Sequence, residues 1–285
     1  MKDIPVPTLA LSPTNLPRGS LHPSLPTPSP ALDSSPAAQK VEPKALLNVS
    51  WARHLDEVRQ AQRLRYDIFA GEMGATLHTP LANHDVDQFD DFCEHLLVQD
   101  ETTGQTVGTY RLLTPVQAQR AGGLYTATEF DIRSLEALKP SMVELGRSCV
   151  HQDYRSGAVI MALWGALAQF MTRNRLSTMV GCASIPMLHQ GRVSGDAAAS
   201  IWSQVSQTHL ADSAWHVQPH TPLPIAQFNS SLDVEPPALI KGYLRLGARV
   251  LGAPAWDPDF NTADLPMLLR IDDLPSRYRK HFLGA

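Results

Sequence analysis

Apolar and polar positions change their spacing several times along the chain, and each change marks an element. Ala45 to Ala52 reads as a first strand, and from Leu55 to Phe69 the residues Val58, Ala61, Leu64 and Ile68 fall at helical spacing, which predicts an amphipathic helix. Glu94 to Gln99 and Val107 to Leu113 flank a turn with Gly104, the composition of a β-hairpin. Val143 to Val150 reads as a strand, Arg155 to Ala158 as a tight turn, and Val159 to Met171 as a helix. That helix is apolar on nearly every face, so it packs on a sheet with one side and on further protein with the other. Ser177 to Ile185 follows as a buried strand, parallel to its predecessor because a helix separates them. Shorter signals predict a helix at Ser134 to Leu138, another at Pro236 to Val250, and a last strand at Met267 to Ile271. His189 to Pro237 has scattered prolines and predicts no definite element, and no internal repeat is evident.

Composition divides the chain once. Residues 1–44 hold 10 of the 23 prolines without a period of 2 or 3.6, so this segment is expected to be a disordered extension and 45–285 a single folded domain. With 285 residues, 43% of them hydrophobic, a sizeable core is available. The net charge of -4 argues against a nucleic-acid binder. Three widely spaced cysteines, Cys93, Cys149 and Cys182, indicate neither a disulfide framework nor a zinc site, and His209, His216 and His220 match no common ligand spacing, so no metal is expected. Prolines interrupt the start, and no stretch reaches the roughly 18 apolar residues of a membrane span, so the expectation is a cytoplasmic protein, at most peripheral at a membrane.

The chemistry gathers around Val143 to Ala158. Glu144 and Arg147 lie on the strand, and Gly146 between them suggests a splayed strand with a cleft beside it. The Arg155-Ser156-Gly157-Ala158 turn opens a helix whose free N–H groups suit a phosphate. Upstream, Asp85, Asp87, Asp90 and Asp91 place four carboxylates in seven residues. Any one of them reads as a solvated loop residue, but together they create a potential that attracts ammonium groups. Arg63 and Arg65, near the end of the first helix, read as surface charges complementing its dipole. Arg111 sits in an apolar strand and needs a partner, either Glu144 or an aspartate of the acidic loop.

Several blocks resemble a known family in order and spacing: Leu64-Arg65-Tyr66-Asp67-Ile68-Phe69, Asp87-Gln88-Phe89-Asp90, Gly108-Thr109-Tyr110-Arg111-Leu112, Glu144-Leu145-Gly146-Arg147 with Tyr154-Arg155-Ser156-Gly157, Lys241 to Ala248, and Pro254 to Phe260. From about Leu64 to Leu283 the chain is similar to the acyltransferases of the GCN5-related N-acetyltransferase (GNAT) superfamily, and within it to the bacterial ornithine N-acyltransferases, often labelled hemolysin-like. The first four blocks are also similar to acyl-homoserine-lactone synthases. A tryptophan usual after the first block is replaced by Ala70-Gly71-Glu72-Met73-Gly74, and the Lys241 block belongs to the ornithine enzymes, so the synthase reading comes second.

The resemblance implies an α/β (α+β) fold of GNAT type, a mixed central sheet with a splayed strand and helices on both faces. It implies transfer of a 3-hydroxyacyl group from acyl carrier protein to the α-amine of L-ornithine, giving lyso-ornithine lipid near the inner membrane. No cofactor is implied beyond the phosphopantetheine thioester that delivers the acyl group. Glu144 would be the base and Arg147 its catalytic neighbour. Arg65, Asp87, Asp90 and Arg111 would hold the acceptor, the aspartates taking its side-chain ammonium and an arginine its carboxylate. Val150, Arg155, Ser156, Gly157 and Ala158 would bind the phosphopantetheine. Arg155, Arg173, Arg175, Lys241, Arg245 and Arg249 are basic candidates for docking the acidic carrier. Cys149 offers an acyl-enzyme alternative, but no histidine is placed by sequence to activate it, so direct transfer is favoured. A rival of another class, a non-catalytic binding or membrane-lytic protein, is disfavoured by the intact Glu144 and the missing secretion signal.

Overall fold

A computed structural model of the chain describes residues 46–283. The proposed extension, residues 1–44, lies outside them. Eight strands form one sheet: β1 (Leu47–Trp51), β2 (Glu94–Asp100), β3 (Thr106–Leu113), β4 (Met142–Val150), β5 (Thr178–Pro186), β6 (Arg249–Val250), β7 (Ala255–Asp257) and β8 (Thr262–Arg270). Their order is β1-β2-β3-β4-β5-β8-β6, with β7 also paired to β8. All neighbours are antiparallel except β4 and β5. The sheet is therefore mixed, as the crossover through a long helix requires.

That single parallel pair is short. Met142, Val143 and Glu144 face Thr178, Met179 and Val180, and pairing stops there although both strands continue. At the parting point a Cβ on Gly181 would lie 2.4 Å from the Leu145 carbonyl oxygen, so only glycine lets the two backbones approach so closely. On the other edge of β4 the register with β3 slips: Arg147 and Ser148 together oppose Tyr110, a β-bulge. Arg147, not Gly146, adopts the left-handed conformation, with φ of 51°. An extra residue re-phases the alternation of side chains, which puts Glu144 and Cys149 on one face of the sheet despite their odd separation.

Helices cover both faces. On one side α4 (Ala158–Arg173) buries Val159, Leu163, Leu167 and Met171, spaced four apart, against Leu96, Val98, Tyr110 and Leu112. Burial of each such side chain contributes about 1.5–3 kcal/mol. The outer side of α4 meets α6 (Ala238–Arg245), where Trp164 packs on Tyr243 with ring centroids 5.9 Å apart. It also contacts α7 (Ser276–Leu283), so the all-round apolar pattern is used on both sides. The opposite face carries α1 (Leu55–Tyr66), extended by a π-helical turn, Asp67–Glu72, together with the short α2 (Pro115–Arg120) and α3 (Thr126–Glu129) and a 3₁₀ segment, Arg133–Ser141.

Three expectations need correction. The helix predicted over 236–250 stops at Arg245, because Gly247 turns left-handed (φ 95°) and the Ala248 N–H bonds back to the Tyr243 carbonyl. The last strand begins at Thr262 rather than Met267, and α7 after it was not foreseen. Within the unassigned 189–237, Asp196–Thr208 forms α5, burying Ala197, Ala198, Ile201 and Val205.

Candidate active site

Glu144 is the last residue of β4 paired to β5. Its carboxylate is held at the start of α3: Oε1 accepts from the Thr126 N–H (2.6 Å) and hydroxyl (2.5 Å), and Oε2 from the Tyr125 N–H (2.7 Å). Burial pushes this carboxyl above its usual range, and the hydrogen bonds from Thr126 and Tyr125 offset part of that rise. Two oxygens offer about four acceptor sites. Three are occupied, which leaves capacity for one more donor.

Beside it lies a cavity of about 280 Å³ lined by both faces of the sheet. Phe69, Tyr125, Glu144, Cys182 and Asp264 belong to the α1 side, while Trp164, Leu167, Tyr243 and Leu246 belong to the α4 side. A cavity with walls on both faces passes through the gap between β4 and β5.

The acidic loop turns Asp85, Asp87 and Asp90 inward and leaves Asp91 exposed. Arg65 is fully buried: Nε donates to Asp85 Oδ2 (2.8 Å), Nη1 and Nη2 to the two oxygens of Asp90 (2.9 and 2.7 Å), and Nη2 also to the Asp85 carbonyl. It is thus no helix-terminal surface charge. Arg111 Nη1 reaches Asp87 (2.6 Å) and Asp90 (3.0 Å), which answers its need for a partner. Arg147 Nη2 donates to Asp87 Oδ2 at 3.2 Å, and its Nε lies 3.1 Å from Asp85 Oδ2. Three guanidiniums therefore face three carboxylates. The arginines hold Asp90 far below the ordinary carboxylate range and lower Asp87 as well, against the cost of burial. Asp87 and Asp90, expected to meet a substrate ammonium, are thus paired to arginines, and neither lines the cavity. Of the arginines only Arg111 and Arg147 line the cavity. Arg147 lies between the rings of Tyr125 and Phe260, at 5.1 and 4.7 Å, and its Nη1 donates to no described residue.

The structure sets the other predicted group apart from this network. Val150, Arg155, Ser156, Gly157 and Ala158 do not line the cavity; they lie at the end of β4 and the start of α4. Gly157 is left-handed, with φ of 100°, and the N–H groups of Ser156 to Ile160 find no acceptor among the described residues. Arg155 Nη2 donates to Glu72 at 2.6 Å. From Val150 back to Glu144 the strand spans about 20 Å, the reach of an extended pantetheine arm.

Cys149 is buried behind the bulge with Leu64, Ile68 and Phe69, outside the cavity lining, and burial pushes its thiol up. It is a packing residue. Sequence reasoning missed Ser148, Tyr110, Tyr125 and Tyr243, all lining the cavity, and the hydroxyl contact between Tyr110 and Tyr243. The blocks that carry Tyr110 and Tyr243 were visible, but nothing local shows that residues so far apart in sequence meet.

Residues 64–165 match the family model described as an acetyltransferase (GNAT) domain. The chain is 35% identical to the L-ornithine N(alpha)-acyltransferase of Agrobacterium fabrum over 84% of this chain and 85% of that protein. It is also 35% identical to the enzyme of the same name from Brucella abortus, over 83% and 88%. Among solved structures it is similar to the acyl-homoserine-lactone synthase LasI, at 12% identity and a TM-score of 0.49, over 85% of this chain and 97% of that one.

Proposed function

The chain belongs to the L-ornithine N(alpha)-acyltransferases, and on that premise we propose that it takes a 3-hydroxyacyl group from acyl carrier protein and joins it to the α-amine of L-ornithine, opening ornithine-lipid synthesis. One observation carries this reading: a buried carboxylate, Glu144, borders a cavity that passes through a parted sheet.

Ornithine enters with its α-ammonium toward Glu144, whose raised carboxyl is a better base than a solvated one. The carboxylate takes one proton, the freed amine attacks the thioester carbonyl carbon, and collapse of the tetrahedral adduct forms the amide and expels the pantetheine thiolate. A second proton, from the adduct nitrogen, ends on that thiolate. Tyr243, whose hydroxyl burial pushes up to about 12, stays protonated at working pH and is available as a relay. Backbone N–H groups of the bulged Arg147–Ser148 pair, which lines the cavity, are suited to the oxyanion, each donor being worth about 2.7–4 kcal/mol in such sites. Arg147, with a free Nη1, takes the ornithine carboxylate, and Arg65, Asp87, Asp90 and Arg111 form the frame that fixes it. The α4 N-terminus with Arg155 receives the phosphopantetheine phosphate. The exposed Arg173, Arg175, Arg245 and Arg249 offer the acidic carrier a basic surface.

The test offers the purified protein 3-hydroxyacyl carrier protein with ornithine, lysine, glycine or S-adenosylmethionine and identifies products by mass spectrometry. Ornithine amide is the expected product. A lactone formed only with S-adenosylmethionine would overturn the assignment.

A further inference from the structure

Ornithine carries a second ammonium three methylenes from its α-carbon, and the aspartates first considered for it are saturated by arginine. A different set of carboxylates at the cavity is not. Glu129, on the same short helix as Thr126, lies with Asp257 and Asp264 so that one oxygen from each falls within 4.8 Å of the others. Asp257 and Asp264 line the reaction cavity, beside Tyr125, Thr126 and Cys182.

These carboxylates have little to balance them. Among the described residues no lysine, arginine or histidine forms an ion pair with any of the three. Both oxygens of Glu129 are sealed from solvent and complete no hydrogen bond, although Tyr125 and Cys182 lie near them. Asp264 is 4% exposed; the Thr262 hydroxyl donates to one oxygen at 2.9 Å, and the Ser184 hydroxyl and the Glu129 carboxyl lie beside it. Among the described residues Asp257 accepts only the backbone N–H groups of Asp259 and Phe260. Buried acceptors are nearly always paired in folded proteins, so unpaired ones beside a cavity point to a donor that arrives with a ligand. Burial first, and then repulsion from Asp264 on Glu129 and from Asp257 on Asp264, pushes Glu129 up to about 9 and Asp264 up to about 6.

We infer that Glu129, Asp264 and Asp257 bind the side-chain ammonium of the acceptor and so select diamino acids over their monoamino counterparts. An ammonium supplies three N–H donors for three carboxylates. Thr126 links the two ends of the substrate: its hydroxyl donates to Glu144, and the Cys182 thiol lies 3.9 Å from that hydroxyl on the cluster side. The inference rests on ornithine being the acceptor, but its test does not depend on turnover.

The experiment is calorimetric titration of the full chain with L-ornithine and with L-norvaline, which lacks only the second amine. Glu129→Gln and Asp264→Asn are compared with the parent protein, and acyl transfer is assayed separately. The expected result is a preference for ornithine that drops about 10- to 100-fold in either variant, the size of one or two charged hydrogen bonds. Norvaline affinity should stay unchanged, which also shows that the variants are folded. An equal preference in parent and variants overturns the inference, as does Mn²⁺ binding that depends on the same residues without any ornithine preference. A cluster-dependent preference without acyl transfer to ornithine would sink the proposed function and leave this site standing.

Discussion

Replacing Glu144 with glutamine removes the base while keeping its shape. In the native protein Oε1 accepts from the Thr126 N–H and hydroxyl, and Oε2 from the Tyr125 N–H. The amide oxygen can keep the first two bonds, but its NH₂ then faces the Tyr125 N–H, donor against donor. One lost bond and one unsatisfied buried donor cost about 1–3 kcal/mol, partly offset because a buried charge has gone. The protein should therefore remain folded with a modestly changed melting temperature. Catalysis should suffer far more: loss of general base assistance lowers kcat about 10²- to 10⁴-fold, or about 3–5 kcal/mol at 1.36 kcal/mol per tenfold. In the parent the rate should rise with pH through an ionisation above the ordinary carboxylate range, the direction in which burial moves Glu144. That limb should vanish in the variant. Amide formation from acyl carrier thioester, followed from pH 5 to 9 beside a thermal melt, makes the measurement. A variant with full kcat and an unchanged pH limb would refute the assignment of Glu144 as base.

Cys149→Ala should keep kcat within about twofold, since burial keeps this thiol protonated and it lies outside the cavity; trapping an acyl group on Cys149 by mass spectrometry would contradict direct transfer. Arg65→Ala strips three buried carboxylate contacts and should destabilise the fold by about 3–5 kcal/mol in urea denaturation, with little recovered by lysine. Arg155→Ala should raise KM for the acyl carrier substrate and steepen no melting curve, because its pair with Glu72 is half exposed and such pairs contribute about 0–1 kcal/mol; an unchanged KM counts against the phosphate seat. Glu129 and Asp264 bind protons more tightly folded than unfolded, so their contribution is complete below about pH 4 and is lost as pH rises through about 6 and then 9. Stability should accordingly fall by about 1.4 kcal/mol per pH unit per extra proton held. Glu129→Gln should flatten that decline, and denaturation curves at pH 6 and 9 that stay parallel to the parent's would contradict it.

The sequence by itself settled the alternation of strands and crossover helix, since the apolar spacing of β2, β3, α4 and β5 is local and each segment's burial follows from its own side chains. It also placed Glu144 and Arg147 on a strand that has to open, through the blocks around them. Tertiary structure alone decided the charges. Whether Asp90 meets solvent, a substrate or Arg65 depends on residues 25 positions apart, and nothing in the acidic loop reports that three arginines close over it. It decided as well that Glu129, unremarkable on its four-residue helix, joins Asp257 and Asp264 from the far side of the chain. Periodicity is written along the backbone, whereas charge balance is a sum over groups that only the packed sheet brings within a few ångströms of one another.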